Sequence, residues 1–383
     1  MITPLRDLTA PWPGVGSAPR SIDLSLTGRC NLRCRYCFYA DEMAALADLP
    51  AERWLRFFEE AGALGVQRVT LSGGEIFTRP DLWTLIDGVV TNRMRYSILT
   101  NGTLVTDKVI EQFAVGKRRL RLDSIQVSID GSCADVHDRS RPPASFERAL
   151  RGLRLLKASD FPVTVRVTIN RHNVDDLEAI ARLLLEDVGL PAFGTNEAEQ
   201  MGTARCYGQD VVLTEAERRR AMDTLTRLTE RYGGRINATA GPLARARSFR
   251  EIDERLAHGE TGIPRRGTLC ACGGVSSKLA VLHDGTMVPC NMLPSLTMGV
   301  IGVNRLADVW QRHPSINVVR ARRDVPLSAL PECADCPYTG FCSGGCPATV
   351  MANSGRIIGR DDLSCYRAWR EEGGEQRLGR ARP

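Results

Sequence analysis

Along the first two-thirds of the chain, short apolar runs alternate with longer amphipathic segments. Each pair predicts a strand followed by a helix. Residues 22–26 predict the first strand. Residues 51–63 predict a helix, with Trp54, Leu55 and Phe58 on one face. Residues 68–71 predict a second strand, and the helix after it follows Pro80, a residue suited to a first helical turn. Strands at 96–99, 124–129, 163–169 and 192–195 continue the series, with helices at 106–113, 146–157 and 174–185 between them. Six strand–helix units imply a parallel sheet covered by helices. The pattern alone leaves an open sheet and a barrel both available.

A charged helix is predicted over residues 216–232, ending at Gly233-Gly234. Residues 235–267 are Arg- and Gly-rich with weak periodicity, and a domain boundary is expected there. Residues 278–288 predict a hairpin, with Asp284-Gly285 suited to a type I′ turn. From Pro331 the chain is rich in loops and cysteines and poor in periodic apolar residues, so it needs a staple. The expected division is 1–20 as an N-terminal segment, 21–234 as an α/β core, 235–267 as a connection, 268–370 as a cysteine-rich domain and 371–383 as a polar tail.

The 383 residues are 43% hydrophobic and 25% charged, the composition of a soluble globular chain of two to three domains. This excludes collagen-like, mucin-like and wholly disordered classes. No apolar stretch approaches the ~20 residues of a spanning helix. The start of the chain has no basic then apolar signal, so a cytoplasmic protein off the membrane is expected. The net charge of +6 is spread along the sequence and predicts no nucleic-acid face. Its 47 Arg against 4 Lys reads as genomic base composition.

Thirteen cysteines change this picture. An odd number without an export signal points away from disulfides and toward metal or redox chemistry. Three lie in Cys30-Asn31-Leu32-Arg33-Cys34-Arg35-Tyr36-Cys37, directly after the first strand, and eight lie between Cys270 and Cys365. Three thiolates on one tight loop can hold three irons of a cubane and leave the fourth open. The end of a strand is where α/β folds place their chemistry.

The segment CNLRCRYC resembles the signature of radical S-adenosylmethionine (SAM) enzymes, with similarity over about residues 20 to 200. The resemblance implies a partial (β/α)6 TIM-like barrel. It also implies a [4Fe–4S] cluster on Cys30, Cys34 and Cys37, and SAM chelated to the open iron. Reductive cleavage would then give a 5′-deoxyadenosyl radical that abstracts hydrogen from the substrate. Ser72-Gly73-Gly74-Glu75 resembles the family's GGE motif for the SAM amino group. Tyr36, Asn101 and Ser128 are further candidate SAM contacts, and Arg139 and Arg141 are candidate partners for its carboxylate. Each also reads as a turn, cap or surface residue.

The C-terminal cysteines run Cys270, Cys272, Cys290, Cys333, Cys336, Cys342, Cys346 and Cys365. A structural zinc site on a non-enzymatic binding protein is one reading. The spacing of seven of them, with Gly285, resembles the SPASM domain. That implies one auxiliary [4Fe–4S] cluster on Cys333, Cys336, Cys342 and Cys365. It implies another on Cys272, Cys290 and Cys346, with Cys270 as candidate fourth ligand. Cys133 and Cys206 stand alone.

SPASM proteins mostly modify peptides, so the resemblance implies a precursor peptide substrate and a crosslink, thioether or backbone excision. An anaerobic sulfatase-maturase is the alternative. That subset carries an Asp after the cysteine matching Cys290, where this chain has Asn291, which is no carboxylate base. The resemblance further implies a flavodoxin- or ferredoxin-type electron donor. The short N-terminal segment leaves leader recognition, if used, to a separate protein or another surface.

Overall fold

A computed structural model describes residues 7–371 of the chain. The polar tail expected at 371–383 lies, beyond its first residue, outside the described residues.

Seven strands follow one another in parallel: β1 (Ser21–Thr27), β2 (Arg68–Gly73), β3 (Arg95–Thr100), β4 (Leu122–Ser128), β5 (Val163–Ile169), β6 (Phe193–Glu197) and β7 (Ile236–Ala238). Helices cover the crossovers, among them Ala51–Ala63, Leu82–Thr91, Asp107–Phe113, Ser145–Ala158 and Glu215–Arg231. All six predicted strand–helix units are present. In β5 every second residue is buried, so Val163, Val165, Val167 and Ile169 face the core. The helix Ala51–Ala63 lays Trp54, Phe57, Phe58 and Ala61 on the sheet, three or four residues apart. The charged helix Glu215–Arg231 starts at a capping box, in which Thr214 and Glu217 satisfy each other's backbone N–H groups.

Two departures from the sequence reading bear on function. Residues 235–267, expected as a connection, hold β7 and the 16-residue helix Pro242–Ala257, which packs on Glu215–Arg231. The many arginines of this helix mask an apolar stripe of Leu243, Ala246, Phe249 and Ile252. The hairpin of β8 (Lys278–Val281) and β9 (Met287–Val288) is also not the type I′ turn expected. Only Gly285 has positive φ (+90°), while Asp284 folds its carboxylate back onto the Thr286 N–H and hydroxyl.

The hairpin is also part of the main sheet. Strand β8 runs parallel to β1 in the register Ser21↔Lys278 to Leu24↔Val281. The sheet order is β7-β6-β5-β4-β3-β2-β1-β8-β9, an open barrel with β7 and β9 at its edges. The cysteine-rich region is thus joined to the core through the strand that carries the first cysteine loop.

Candidate functional site: a clasped cysteine loop and two thiol groups

The loop Cys30–Cys37 leaves the C-terminal end of β1. Its start is tied by Asp48, whose carboxylate accepts from the Thr27 hydroxyl at 2.6 Å and the Gly28 N–H at 2.7 Å. Its end is held by the turn after β6. There the Thr203 hydroxyl donates to the Cys34 carbonyl at 2.9 Å, and its N–H donates to the Cys37 carbonyl. Burial raises the Cys30 and Cys34 thiols, and burial together with Cys34 pushes Cys37 up to about 12. The three sulfurs therefore lie within electrostatic reach of one another.

The Gly73-Gly74 pair makes the close approach that glycine allows. A Cβ on Gly74 would stand 2.3 Å from the Arg29 carbonyl oxygen and 2.9 Å from the Cys30 Cβ. Gly74 N–H donates to the Thr27 carbonyl and Glu75 N–H to the Arg29 carbonyl. The Ser72 hydroxyl is used within the sheet, donating to the Leu24 carbonyl at 3.2 Å. Glu75, expected to meet SAM, turns its buried carboxylate inward. It accepts from the Thr100 hydroxyl and the Asn101 N–H, both at 2.7 Å, and from the Phe77 N–H. The Asn101 amide likewise serves the loop: it donates to Asn31 at 2.9 Å and accepts twice from Thr103. Both residues position the site. Ser128 ends β4 and is half-buried, facing the same end of the sheet.

Tyr36, Asp130 and Arg141 form one buried unit. Asp130 accepts from the Tyr36 hydroxyl, from Arg141 Nε at 2.6 Å and from the Thr168 N–H at 2.7 Å. The Arg141 guanidinium also lies 5.5 Å over the Tyr36 ring. Arg141 thus spends Nε on a protein carboxylate, not on a ligand, while Arg139 is exposed.

The C-terminal cysteines separate into two neighbourhoods. Burial pushes Cys290 up to about 11, with Cys272 and Cys346 adding to the effect. Cys270 joins this group, since its sulfur accepts from the Cys272 N–H at 3.0 Å. Cys272 holds a left-handed conformation at φ +65°, a strained state for a residue with a Cβ. In the second neighbourhood, Cys336 and Cys365 act on Cys342, and Cys342 and Cys336 act on Cys333. Cations face both. The fully buried Arg322 donates to carbonyls and lies in the field of Cys270, Cys346, Asp361 and Cys272. Arg360 donates to the Cys365 sulfur at 3.3 Å. A buried guanidinium needs anions close by, and Asp361 and the neighbouring thiols, when ionised, are the groups placed to supply them.

Between the first loop and the C-terminal region lies a cavity of about 630 Å³. Phe38, Met201, Met292 and Met351 give it apolar walls, and Asp41, Glu42 and Asp284 line it with Arg205, which pairs with Asp41. Asn291, also in the wall, has a buried side-chain oxygen with no hydrogen-bond partner. Glu199, two residues beyond β6, lies close behind. Its carboxyl is raised to about 7 by burial, with Glu197 and Asp361 adding to the rise, against Arg245 and a hydrogen bond from Thr349.

Sequence reading missed Asp130, Thr203, Arg322 and Glu199. Asp130 stands two residues beyond the candidate Ser128; the other three have no local signal, because tertiary packing alone brings them to the thiols.

Comparison with known proteins agrees with this geometry. Residues 24–184 match the Radical SAM superfamily and residues 270–337 the SPASM iron-sulfur cluster-binding domain. The chain therefore carries a radical SAM domain followed by a C-terminal SPASM domain. It is 29% identical over 360 residues to the AdoMet-dependent heme synthase of Methanosarcina barkeri, covering 92% of this chain and 97% of that one. It is also 29% identical over 357 residues to the PqqA peptide cyclase of Ruegeria pomeroyi, covering 92% and 88%. Streptococcus suis SuiB bound to precursor peptide SuiA has the same fold, at TM-score 0.68 and 16% identity over 92% of this chain and 76% of that chain.

The class takes [4Fe–4S] clusters and SAM, and the donor sets fit them. Among the described residues, no three His, Cys, Asp or Glu side chains gather tightly enough for a single metal ion. Thiolates are the usual ligands of iron–sulfur clusters, and cysteines are what the first loop and both C-terminal neighbourhoods bring together. Among those residues no helix is long and apolar enough to cross a membrane.

Proposed function

We propose that the chain is a peptide maturase in which Cys30, Cys34 and Cys37 hold the SAM-binding cluster. Cys270, Cys272, Cys290 and Cys346 hold one auxiliary cluster, and Cys333, Cys336, Cys342 and Cys365 the other. The carrying observation is the clasped loop, three half-buried thiols whose first cysteine is pressed against Gly74 at the end of the sheet. When bound, cluster and SAM supply a carbon radical able to abstract hydrogen. The chain's own residues exclude water and fix geometry. Glu75 and Asn101 brace the loop, and Asp130 orients Tyr36 and Arg141.

The 630 Å³ cavity is the proposed substrate cleft. Its methionine-rich walls suit an extended apolar segment, and the orphaned Asn291 oxygen suits a peptide N–H. The likeness to a peptide cyclase supports a peptide substrate. Asn291 in place of a carboxylate disfavours sulfatase maturation. The domain division proposed is a core over 21–267 and a SPASM domain over 268–370. A leader-recognition protein and a cytoplasmic setting complete the proposal.

Anaerobic reconstitution tests it. The protein is expected to be brown, to hold about twelve irons, and to form 5′-deoxyadenosine with dithionite and SAM. Cys30→Ala, Cys34→Ala and Cys37→Ala should each abolish that product. Cleavage surviving in all three, or colourless protein with stoichiometric zinc, overturns the assignment.

A further inference from the structure

Against the cysteine loop lies a second cavity, of about 260 Å³. Four arginines line it: Arg33 and Arg35 from the loop, and Arg139 and Arg141 from beyond β4, with His172 beside them. Its single acid is Asp138, and that carboxylate is taken. It accepts from the Ala144 N–H at 2.7 Å, the Ser145 hydroxyl at 2.9 Å and the Phe146 N–H at 3.0 Å, capping the helix Ser145–Ala158. Arg141 is neutralised by Asp130. Among the described residues, no carboxylate pairs with Arg33, Arg35 or Arg139, and all three are exposed. Burial, then the fields of Arg35 and Arg139, hold the His172 imidazole below its ordinary value, against Asp210. The face thus carries an excess of positive charge, on Arg33, Arg35 and Arg139.

Its position gives that charge a use. Arg33 and Arg35 flank Cys34 in the sequence, and Arg33 donates to the Cys30 carbonyl at 2.7 Å. The Arg35 backbone N–H is pinned to the Ser140 carbonyl, and its guanidinium lies 5.5 Å over the exposed ring of Tyr207. The loop therefore shows solvent a basic face beside its cysteines, lining a cavity that shares no residue with the 630 Å³ cleft. Reductive SAM cleavage consumes one electron from outside the chain. We infer that this face docks an acidic, low-potential electron-carrier protein, which loses one electron as the SAM-binding cluster gains one. The inference rests on the proposed ligand role of Cys30, Cys34 and Cys37. Opposite charge steers such an encounter and is screened by salt.

The test compares two reductants on the reconstituted full chain, using R33E and R35E, singly and together. Neither side chain has a proposed role in holding SAM or a cluster. The probes are dithionite and a chemically reduced flavodoxin of net negative charge, with 5′-deoxyadenosine as the readout. With flavodoxin, the double variant should lose at least ~10-fold in second-order rate, and the wild-type rate should fall steeply with salt. With dithionite, variant and wild type should agree, and their iron content should match. Equal flavodoxin rates in variant and wild type overturn the docking face. So does an equal loss with both reductants, which would place these arginines in SAM cleavage itself. No product from the wild type even with dithionite would instead reject the underlying ligand assignment.

Discussion

Glu75 shows how the residue scale sets the site. Its carboxylate is buried and receives three hydrogen bonds from the end of β3 and its own turn. Glu75→Ala leaves those donors unmet, and a loss of about 3 kcal/mol is expected in a urea unfolding curve of the apo protein. Glu75→Gln, which keeps one acceptor, should lose clearly less. An equal loss in the two would mean that shape, not acceptance, is what Glu75 contributes. Glu199 makes a prediction in pH. Its folded carboxyl titrates at about 7 against an ordinary 4.5, through burial first and Glu197 and Asp361 after it. Between those values the folded state binds a proton that the unfolded state has released, so stability falls as pH rises through the window. Below 4.5 both states are protonated and the penalty is absent. Glu199→Gln should therefore leave melting temperature unchanged near pH 4.5 and raise it above pH 7. A variant offset that is flat across pH would count against a titrating Glu199.

At the scale of elements, the loop is a clasp with two glycine hinges. Gly74 sits on Arg29 and Cys30. Gly202, at φ +51°, sits where a Cβ would be 2.1 Å from the Cys37 carbonyl oxygen. Gly74→Ala and Gly202→Ala should each push the loop out of place without unmaking the sheet. The expected result is about one-third less bound iron after reconstitution, with far-UV circular dichroism unchanged. Full iron in both would show that the loop tolerates the shift. These contacts mark how far the sequence could be read. Cys30, Cys34, Cys37 and the Gly-Gly pair were legible because their spacing is local and chemically specific. The six strand–helix units were legible because β5 and the helix Ala51–Ala63 keep clean periods. Residues 242–257 were not, since arginines interrupt their apolar stripe. The direction of the Glu75 carboxylate was not, since it depends on β3, 25 residues away. The Asp284 turn was misread because a side-chain bond to Thr286 replaced the backbone geometry that Asp-Gly usually signals.

At the scale of the whole molecule, the two domains are not independent beads. Strand β8 pairs with β1, so the SPASM hairpin completes the edge of the sheet that carries the first cysteine loop. The buried His283, from the hairpin, receives or gives a hydrogen bond at Nδ1 with Tyr39 at 2.7 Å, and its ring stands where a Cβ on Gly28 would be 2.7 Å away. Leu282 and Val288 pack with Tyr39 in the same small apolar cluster. Cutting the chain after residue 267 would therefore bare the β1 edge and open the apolar floor around Tyr39 and Ile22. An unpaired, apolar strand edge is a template for pairing between chains. The 1–267 fragment is expected to elute as aggregate in size-exclusion chromatography, whereas Tyr39→Phe in the full chain should cost only about 1–3 kcal/mol and remain monodisperse. A monodisperse fragment with native circular dichroism that still loads the first cluster would show that the core stands alone. Aggregation of the fragment beside a well-behaved Tyr39→Phe would assign the coupling to strand pairing, because only the truncation removes β8.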